Sequence, residues 1–211
     1  APPPSSGRTD SRLANLLDHL PPPEALVYLG TTGVYGNHAG GLVDETASLE
    51  PVTDRARRRL DSENRVRAWA GEHGVMAAVL RVAGIYGPNR LPLDRLRAGQ
   101  PVPEPADTGP GNRIHVDDLA AAAIAVAGQD GAWNVSDGDP MSVADFHDHV
   151  ADLAGLPRPR RVPLASPGIS AGMRSFLRES RRIDNRKLLA LPGFRLHYAN
   201  PVDGIKASLG G

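Results

Sequence analysis

The residues able to do chemistry begin with a glycine-spaced turn. Gly30, Gly33 and Gly36 stand three apart after a short apolar run, with Thr31, Thr32 and Tyr35 between them. Glycines at this spacing let a backbone approach a dinucleotide pyrophosphate, whose charge the N-terminus of a following helix then meets. The next five residues, 37–41 (NHAGG), form helix poorly. The residues of the turn leave two readings open: a phosphate loop or a plain strand-end turn. Two further groups come later in the chain: Ala83-Gly84-Ile85 with Tyr86, and Arg113 with His115 ahead of Asp117 and Asp118.

The elements that position them are set by periodicity. Apolar spacing predicts a helix over 11–20, stopped by prolines 21–23, and a buried strand over 25–29. A helix with a basic, Glu-punctuated face is expected over 52–73, and a second buried strand over 75–82. Residues 84–111 are loop-rich, with a short amphipathic turn at 93–97. A strand at 114–116 leads to Asp117-Asp118, which open an Ala-rich helix to 127. A strand at 132–135 precedes a helix capped by Ser142 and running to 153. Residues 157–167 are a Pro/Arg linker, and helical signals return at 172–179 and 185–189. Strands alternating with helices predict an α/β fold with a parallel sheet. The units are too few for a complete doubly wound sheet.

The bulk numbers narrow the partners. The chain has 211 residues, 24 basic against 24 acidic side chains, 40% hydrophobic residues and no cysteine. A folded globular protein is expected, without disulfides or thiolate metal sites. Balanced charge gives no reason to expect nucleic acid as a partner. No apolar run approaches the ~20 residues of a membrane span, so no membrane partner is expected and the cytoplasm is the default location. The histidines do not cluster, and no metal is expected. The sequence begins Ala1-Pro2-Pro3-Pro4; a processed product, a truncated one and part of a longer protein all fit.

A resemblance organises these pieces. LVYLGTTGVYGNHAGGLVDETASLEP (26–51) resembles the fifth-strand region of extended short-chain dehydrogenases/reductases. LRVAGIYGP (80–88), RIHVDDLAAA from Arg113, WNVSDGDPMSVADF (133–146) and RIDNRKL (182–188) resemble that family's later motifs, in order. The opening APPP and LANLL resemble the end of its fourth strand and the next helix. Within the superfamily the chain looks most like the atypical, NAD-dependent epimerase/dehydratase-like subgroup. The fold this implies is the C-terminal part of a Rossmann-type doubly wound parallel sheet, at 1–88 and 112–136. A small α/β substrate-capping region would occupy 89–111 and 137–211. The first half of the sheet, with the main phosphate-binding loop, would lie outside this chain.

The resemblance also assigns roles and exposes a gap. The cofactor it implies is NAD or NADP, with Gly30, Arg59, Ala83, Gly84 and Ile85 beside it, and the substrate a small molecule met by Tyr86, Arg113 and His115. Thr31 takes the place of the family's substrate-orienting hydroxyl, with Thr32 as its neighbour. The family's Tyr, and the Lys four residues on, fall on Arg55 and Arg59 by register with Glu63. No tyrosine here has a Lys four residues later, and the only lysines are Lys187 and Lys206. Arg59 then keeps a ribose or phosphate contact as a permanent cation, and Tyr35, Tyr86 or His115 supplies the proton; or nucleotide binds without redox chemistry. The bland alternative makes Arg55, Arg57, Arg58 and Arg59 a solvated face partnered by Glu63. His115 is as readily a packing residue, and Arg81 a structural partner of Asp117 or Asp118. Relatives carry an Arg four residues before this His, where the chain has Gly111; that departure counts against a nucleotide-sugar substrate. The implied function is an NAD(P)-dependent epimerase/dehydratase-like oxidoreductase. Its alternatives are a non-catalytic NAD(P)-binding or regulatory protein and an interaction module. A homodimer through the 52–73 helix is the expected assembly.

Overall fold

In the computed structural model the described residues are 4–177 and 179–210, with only the backbone described at 175 and 176. Residues 1–3 of the opening APPP and position 178 in the expected 172–179 helix lie outside them. The elements in order are α1 (Ser11–Leu17), β1 (Ala25–Leu29), a 3-10 turn (Thr32–Tyr35), β2 (Leu42–Val43), α2 (Asp54–His73), β3 (Met76–Val82) and β4 (Gly84–Tyr86). Then come α3 (Leu93–Arg97), β5 (Val102–Pro103), a second 3-10 turn (Pro105–Asp107), β6 (Arg113–His115), α4 (Val116–Ala125) and β7 (Gly131–Val135). The chain continues through α5 (Val143–Leu153), β8 (Arg161–Val162), α6 (Ala171–Leu177), β9 (Arg182–Ile183), α7 (Arg186–Leu189) and α8 (Pro201–Leu209).

The organising unit is a parallel sheet in the order β1-β3-β7. Leu29 pairs with Leu80, and Val82 with Val135, so all three strands end on one side. β3 is central, and six of its seven residues are buried, as its unbroken apolar run requires. Successive side chains alternate between the sheet faces. Ala77 and Val79 meet Leu13, Leu17, Val66, Trp69 and Ala70 of α1 and α2. Ala78, Leu80 and Val82 face Ile114, Leu119, Ala122, Trp133, Leu188 and Phe194.

β1 departs from the expected fully buried strand: four residues are half-buried, and Leu29 is 47% exposed. The reason is position, because β3 pairs with one side of β1 and no strand among the described residues pairs with the other. α2 is bounded as its sequence requires. The Thr53 hydroxyl accepts from Ala56 N, and Gly74 ends the helix in the left-handed region at φ +67.

The C-terminal region holds three elements without a counterpart in the sequence expectations: β8, β9 and α8. β8 lies inside the Pro/Arg linker and pairs with β5. α8 begins at an Asn200–Pro201 start in which the Asn200 side chain accepts from Val202 N, a recognisable cap with Pro at N1. Gly204 in its middle weakens the helical pattern, and the packing explains it: a Cβ there would lie 2.3 Å from the Tyr86 Oη and 2.9 Å from its Cε2. Gly204→Ala is therefore expected to lift α8 from β4 and cost about 1–3 kcal/mol. Thermal denaturation checks this: an unchanged midpoint would show that α8 is not seated by this contact.

Candidate functional site

The C-terminal ends of β1 and β3 form a shelf. Gly30 N donates to Leu80 O at 2.7 Å, and a Cβ on Gly30 would stand only 3.0 Å from that oxygen, so glycine allows the close approach. Thr31 is extended and caps the 3-10 turn, its Oγ1 accepting from Gly33 N at 3.1 Å. On the β3 side Ala83 N donates to Val135 O and Gly84 N to Asn112 O. Gly84 and Ile85 are exposed there.

Arg59 bridges to the same shelf. Its Nη2 donates to Leu29 O, and its guanidinium lies 5.0 Å from the Tyr28 ring centroid. The basic stretch is thus not simply a solvated face. Arg58 is 8% exposed and donates to Gly7 O, while Arg57 pairs with Asp54 at 2.9 Å. Glu63 belongs elsewhere. It is 1% exposed and takes both forks of Arg81, Nη2 to Oε1 at 2.6 Å and Nε to Oε2 at 3.2 Å. Arg81, expected against Asp117 or Asp118, instead crosses to α2, because β3 packs α2 on this side. Asp118 accepts from His197 N and Tyr198 N, anchoring the C-terminal segment.

Beside the shelf is a small cleft of about 40 Å³, lined by Thr32, Gly84, residues 109–112, Val143, Leu177, Glu179 and Arg181. Arg181 is 7% exposed, pairs with Glu179 at 2.9 Å and gives one Nη to Gly36 O. Its buried Nε has no partner. The 108–112 loop closes over this cleft against Ser180, since a Cβ on Gly109 would sit 2.2 Å from the Ser180 Oγ. Nothing in the local spacing of RRID points to Arg181 as a cleft residue; it arrives there because β9 pairs with β2, next to the turn after β1.

The structure brings Gly30, Thr31, Thr32, Arg59, Ala83, Gly84 and Ile85 to one end of the sheet. The other candidates adjoin it, Gly84 pairing with Arg113 and Tyr35 closing the 3-10 turn, but their side chains are buried and engaged. The Tyr35 phenol is buried; it donates to Asn134 Oδ1 at 2.7 Å and accepts from Arg81 at 2.9 Å. Burial raises its pKa despite the Arg81 hydrogen bond and charge, which lower it. Tyr86 packs edge-on to His115 and Phe146 beneath α8. His115 accepts at Nδ1 from Asp117 N and bonds through Nε2 to Ser208 Oγ at 3.2 Å, and burial lowers its pKa. Arg113 is 9% exposed, lies over the Phe146 ring at 4.2 Å, and donates to the carbonyls of Gly111, Met141 and Ser142. Burial pulls its pKa down to about 10. Among the described residues no three His, Cys, Asp or Glu side chains gather as a metal site, and no helix is long and apolar enough to cross a membrane.

Parallel strands with helices on both faces, and a hydroxyl-bearing turn where the strands end, define a Rossmann-like α/β protein. The chain belongs to the NAD dependent epimerase/dehydratase family, whose model matches residues 8–136. Protein YeeZ of Escherichia coli (strain K12) is 26% identical over 197 residues, which are 92% of this chain and 63% of YeeZ. The chain thus spans less than two-thirds of that relative's length. A functionally unknown conserved protein from Silicibacter pomeroyi superposes with a TM-score of 0.84 at 31% identity, over 100% of this chain and 75% of that one. The Thermus thermophilus UDP-glucose 4-epimerase, in complex with NAD, gives a TM-score of 0.70 at 25% identity, over 89% of this chain and 63% of that one.

Proposed function

We propose that the protein is an NAD(P)-dependent oxidoreductase of the epimerase/dehydratase type, acting in the cytoplasm on a small anionic substrate. The observation that carries this reading is the adjacency of the shelf and the cleft. Thr31, Arg59 and the exposed Gly84-Ile85 edge stand beside a cleft holding the unpartnered Arg181 Nε. The described residues suit the nicotinamide end of the cofactor. Gly84 offers bare backbone, Ile85 an apolar wall, Arg59 a fixed cation and Thr31 a hydroxyl. They offer no pyrophosphate cradle, since the chain leaves Gly36 as loop rather than helix. When bound, NAD(P) supplies hydride exchange.

The residues of the chain then divide the work. Thr31 orients the reacting oxygen with an O–H that its cap role leaves free to donate. Arg181 holds an anionic group of the substrate, a charge-assisted contact its Nε is left to make. The cleft in its closed form has room only for water, so the 108–112 loop lifts for substrate to enter. Neither Arg55 nor Arg59 shuttles protons, and Tyr35 is locked into its buried network. The best substrates are therefore those whose reduction needs no proton from a side chain. That same lack of a base favours a second reading, NAD(P) binding without turnover. A homodimer through α2 goes with either reading and would be polar, since its outer face carries Arg55, Asn64, Arg67 and Glu72.

Titrating the full gene product with NADH and NADPH, monitored by nicotinamide fluorescence, tests cofactor binding; no response to either would remove the proposal. Where turnover is found, Thr31→Ala is expected to lower kcat roughly tenfold, the worth of one hydrogen bond of ~1.4 kcal/mol. Arg181→Met is expected to act mainly on KM. Turnover unaffected by Thr31→Ala would take Thr31 out of the reaction.

A further inference from the structure

The cleft beside the shelf holds three polar atoms that the fold does not use. Glu179 and Arg181 form an ion pair at 2.9 Å, their side chains 9% and 8% exposed. Arg181 Nη1 is shared between Glu179 Oε2 and Gly36 O. That leaves Arg181 Nη2 as a donor and Glu179 Oε1 as an acceptor, neither with a hydrogen-bond partner among the described residues. Thr32 is 6% exposed, and its hydroxyl has no such partner either. All three atoms keep contact with solvent, whereas Arg181 Nε is sealed. The cleft is the opening that Thr32, Glu179 and Arg181 share.

A charge pair taken largely out of water gains stability only when its remaining lone pairs and N–H groups are satisfied. Here the unused donor and the unused acceptor are the outer atoms of one pair. A bare carboxylate would satisfy Nη2 and meet repulsion from Oε1. A plain alcohol would satisfy Oε1 and offer Nη2 only a neutral acceptor, the weaker kind. A carboxylate with a hydroxyl on the next carbon does both. Its carboxylate accepts from Nη2, and its hydroxyl donates to Oε1, accepts from the Thr32 hydroxyl and stands between the two negative groups. Val143 and Leu177 supply an apolar wall for the carbon skeleton.

We propose that the cleft recognises 2-hydroxy acids through Thr32, Glu179 and Arg181. This rests on the reading of the cleft as the substrate site, and it narrows the small anionic substrate to that class. The lip that must open is lightly held: Gly109 and Gly111 donate no backbone hydrogen bond among the described residues. Asn112 is fastened, donating to Arg181 O and accepting from Ile183 N. Opening pivots there and leaves the Glu179–Arg181 pair in place.

The test is titration of the full gene product with lactate, propanoate and propane-1,2-diol, followed by amide NMR. Propanoate lacks the hydroxyl, and the diol lacks the carboxylate. The better-bound enantiomer of lactate is expected to move residues 109–112 and 179–183. It should bind at least about tenfold tighter than either comparison compound, the worth of one charge-assisted hydrogen bond. Glu179→Gln is expected to bring the lactate-to-propanoate ratio close to one, and Thr32→Val to weaken lactate while leaving propanoate as it was. Propanoate or the diol binding as tightly as lactate, shifts confined to other residues, or a lactate preference that survives Glu179→Gln in a folded protein would each overturn the proposal. Nicotinamide fluorescence reads the cofactor shelf separately. A response to NADH or NADPH without a lactate preference removes this inference alone, whereas a lactate preference with no response to either removes the oxidoreductase reading and keeps the hydroxy-acid site.

Discussion

Replacing Arg81 by methionine is expected to lower the free energy of unfolding by about 3–5 kcal/mol, the cost of removing one partner of a buried ion pair. The Arg81 and Glu63 side chains are 3% and 2% exposed. Methionine fills part of the volume but leaves the Glu63 carboxylate with only Arg67, which reaches it at 3.2 Å from a half-exposed position. It also strips a donor from the Tyr35 hydroxyl and another from Glu45 O. These contacts form one buried network. Asn134 extends it by accepting from Tyr35 and donating to the carbonyls of Val43 and Asp184. The network therefore ties α2, the turn after β1, β3, β7 and the β2–β9 ladder together beneath the shelf. At roughly 2–4 °C per kcal/mol for a chain of this size, the midpoint should fall by about 10 °C. The double variant Glu63→Met/Arg81→Met is the sharper measurement. If the single loss comes from stranding a charge, the double should be less damaged than the sum of the two singles. Additive losses would mean that packing, not the ion pair, sets the cost.

The sheet was legible because its strands are short, largely apolar runs, and because the helices carry their own punctuation. Thr53 before Asp54 and Ser142 before Val143 start helices where hydroxyls cap them. Tertiary partners were not legible. Glu63 sits one turn beyond Arg59 and so suggested a local pair, while its actual partner lies on β3, 18 residues on. His115 reads as a packing residue more readily than as a catalyst, but the spacing does not show its partners, Asp117 N and Ser208 of α8. That helix was hidden by Gly204, which exists to make room for Tyr86. Arg181 was missed for the same reason in reverse: a charged residue in a short segment looks exposed until β9 pairs with β2 and buries it. What sequence periodicity shows is which face an element hides; which long-range partner it hides against depends on strand order, and strand order leaves little local trace.

Asp137→Asn is expected to stabilise the protein near pH 8 and to leave it almost unchanged near pH 4. Burial pushes the Asp137 carboxyl up to about 8, with the Asp139 amide and Arg113 only partly offsetting it, against about 3.9 in an unfolded chain. Between those values the unfolded chain has released a proton that the folded protein keeps. The unfolded state then binds fewer protons, so stability falls as pH rises, and the contribution present below about pH 4 is gone above about pH 8. The span of about four pH units sets an upper limit on the order of 5 kcal/mol. His147 works in the opposite sense. Burial holds it near 4, against about 6.5 unfolded, so its contribution is present above about pH 6.5 and is lost as pH falls toward 4. From pH 4 to 6.5 His147, together with His115, whose pKa burial also lowers, opposes Asp137, so the native protein should not lose stability across this range. From 6.5 to 8 Asp137 acts alone and stability should drop. Asparagine titrates in neither state and keeps an oxygen for Asp139 N, so the variant should climb from pH 4 to 6.5 and then stay level. The difference in midpoint between the two proteins should reach at least about 5 °C by pH 8, using the same 2–4 °C per kcal/mol. Parallel curves across that range would mean that Asp137 ionises in the folded protein as readily as in water, a result at odds with a carboxyl 5% exposed and with one oxygen unpartnered.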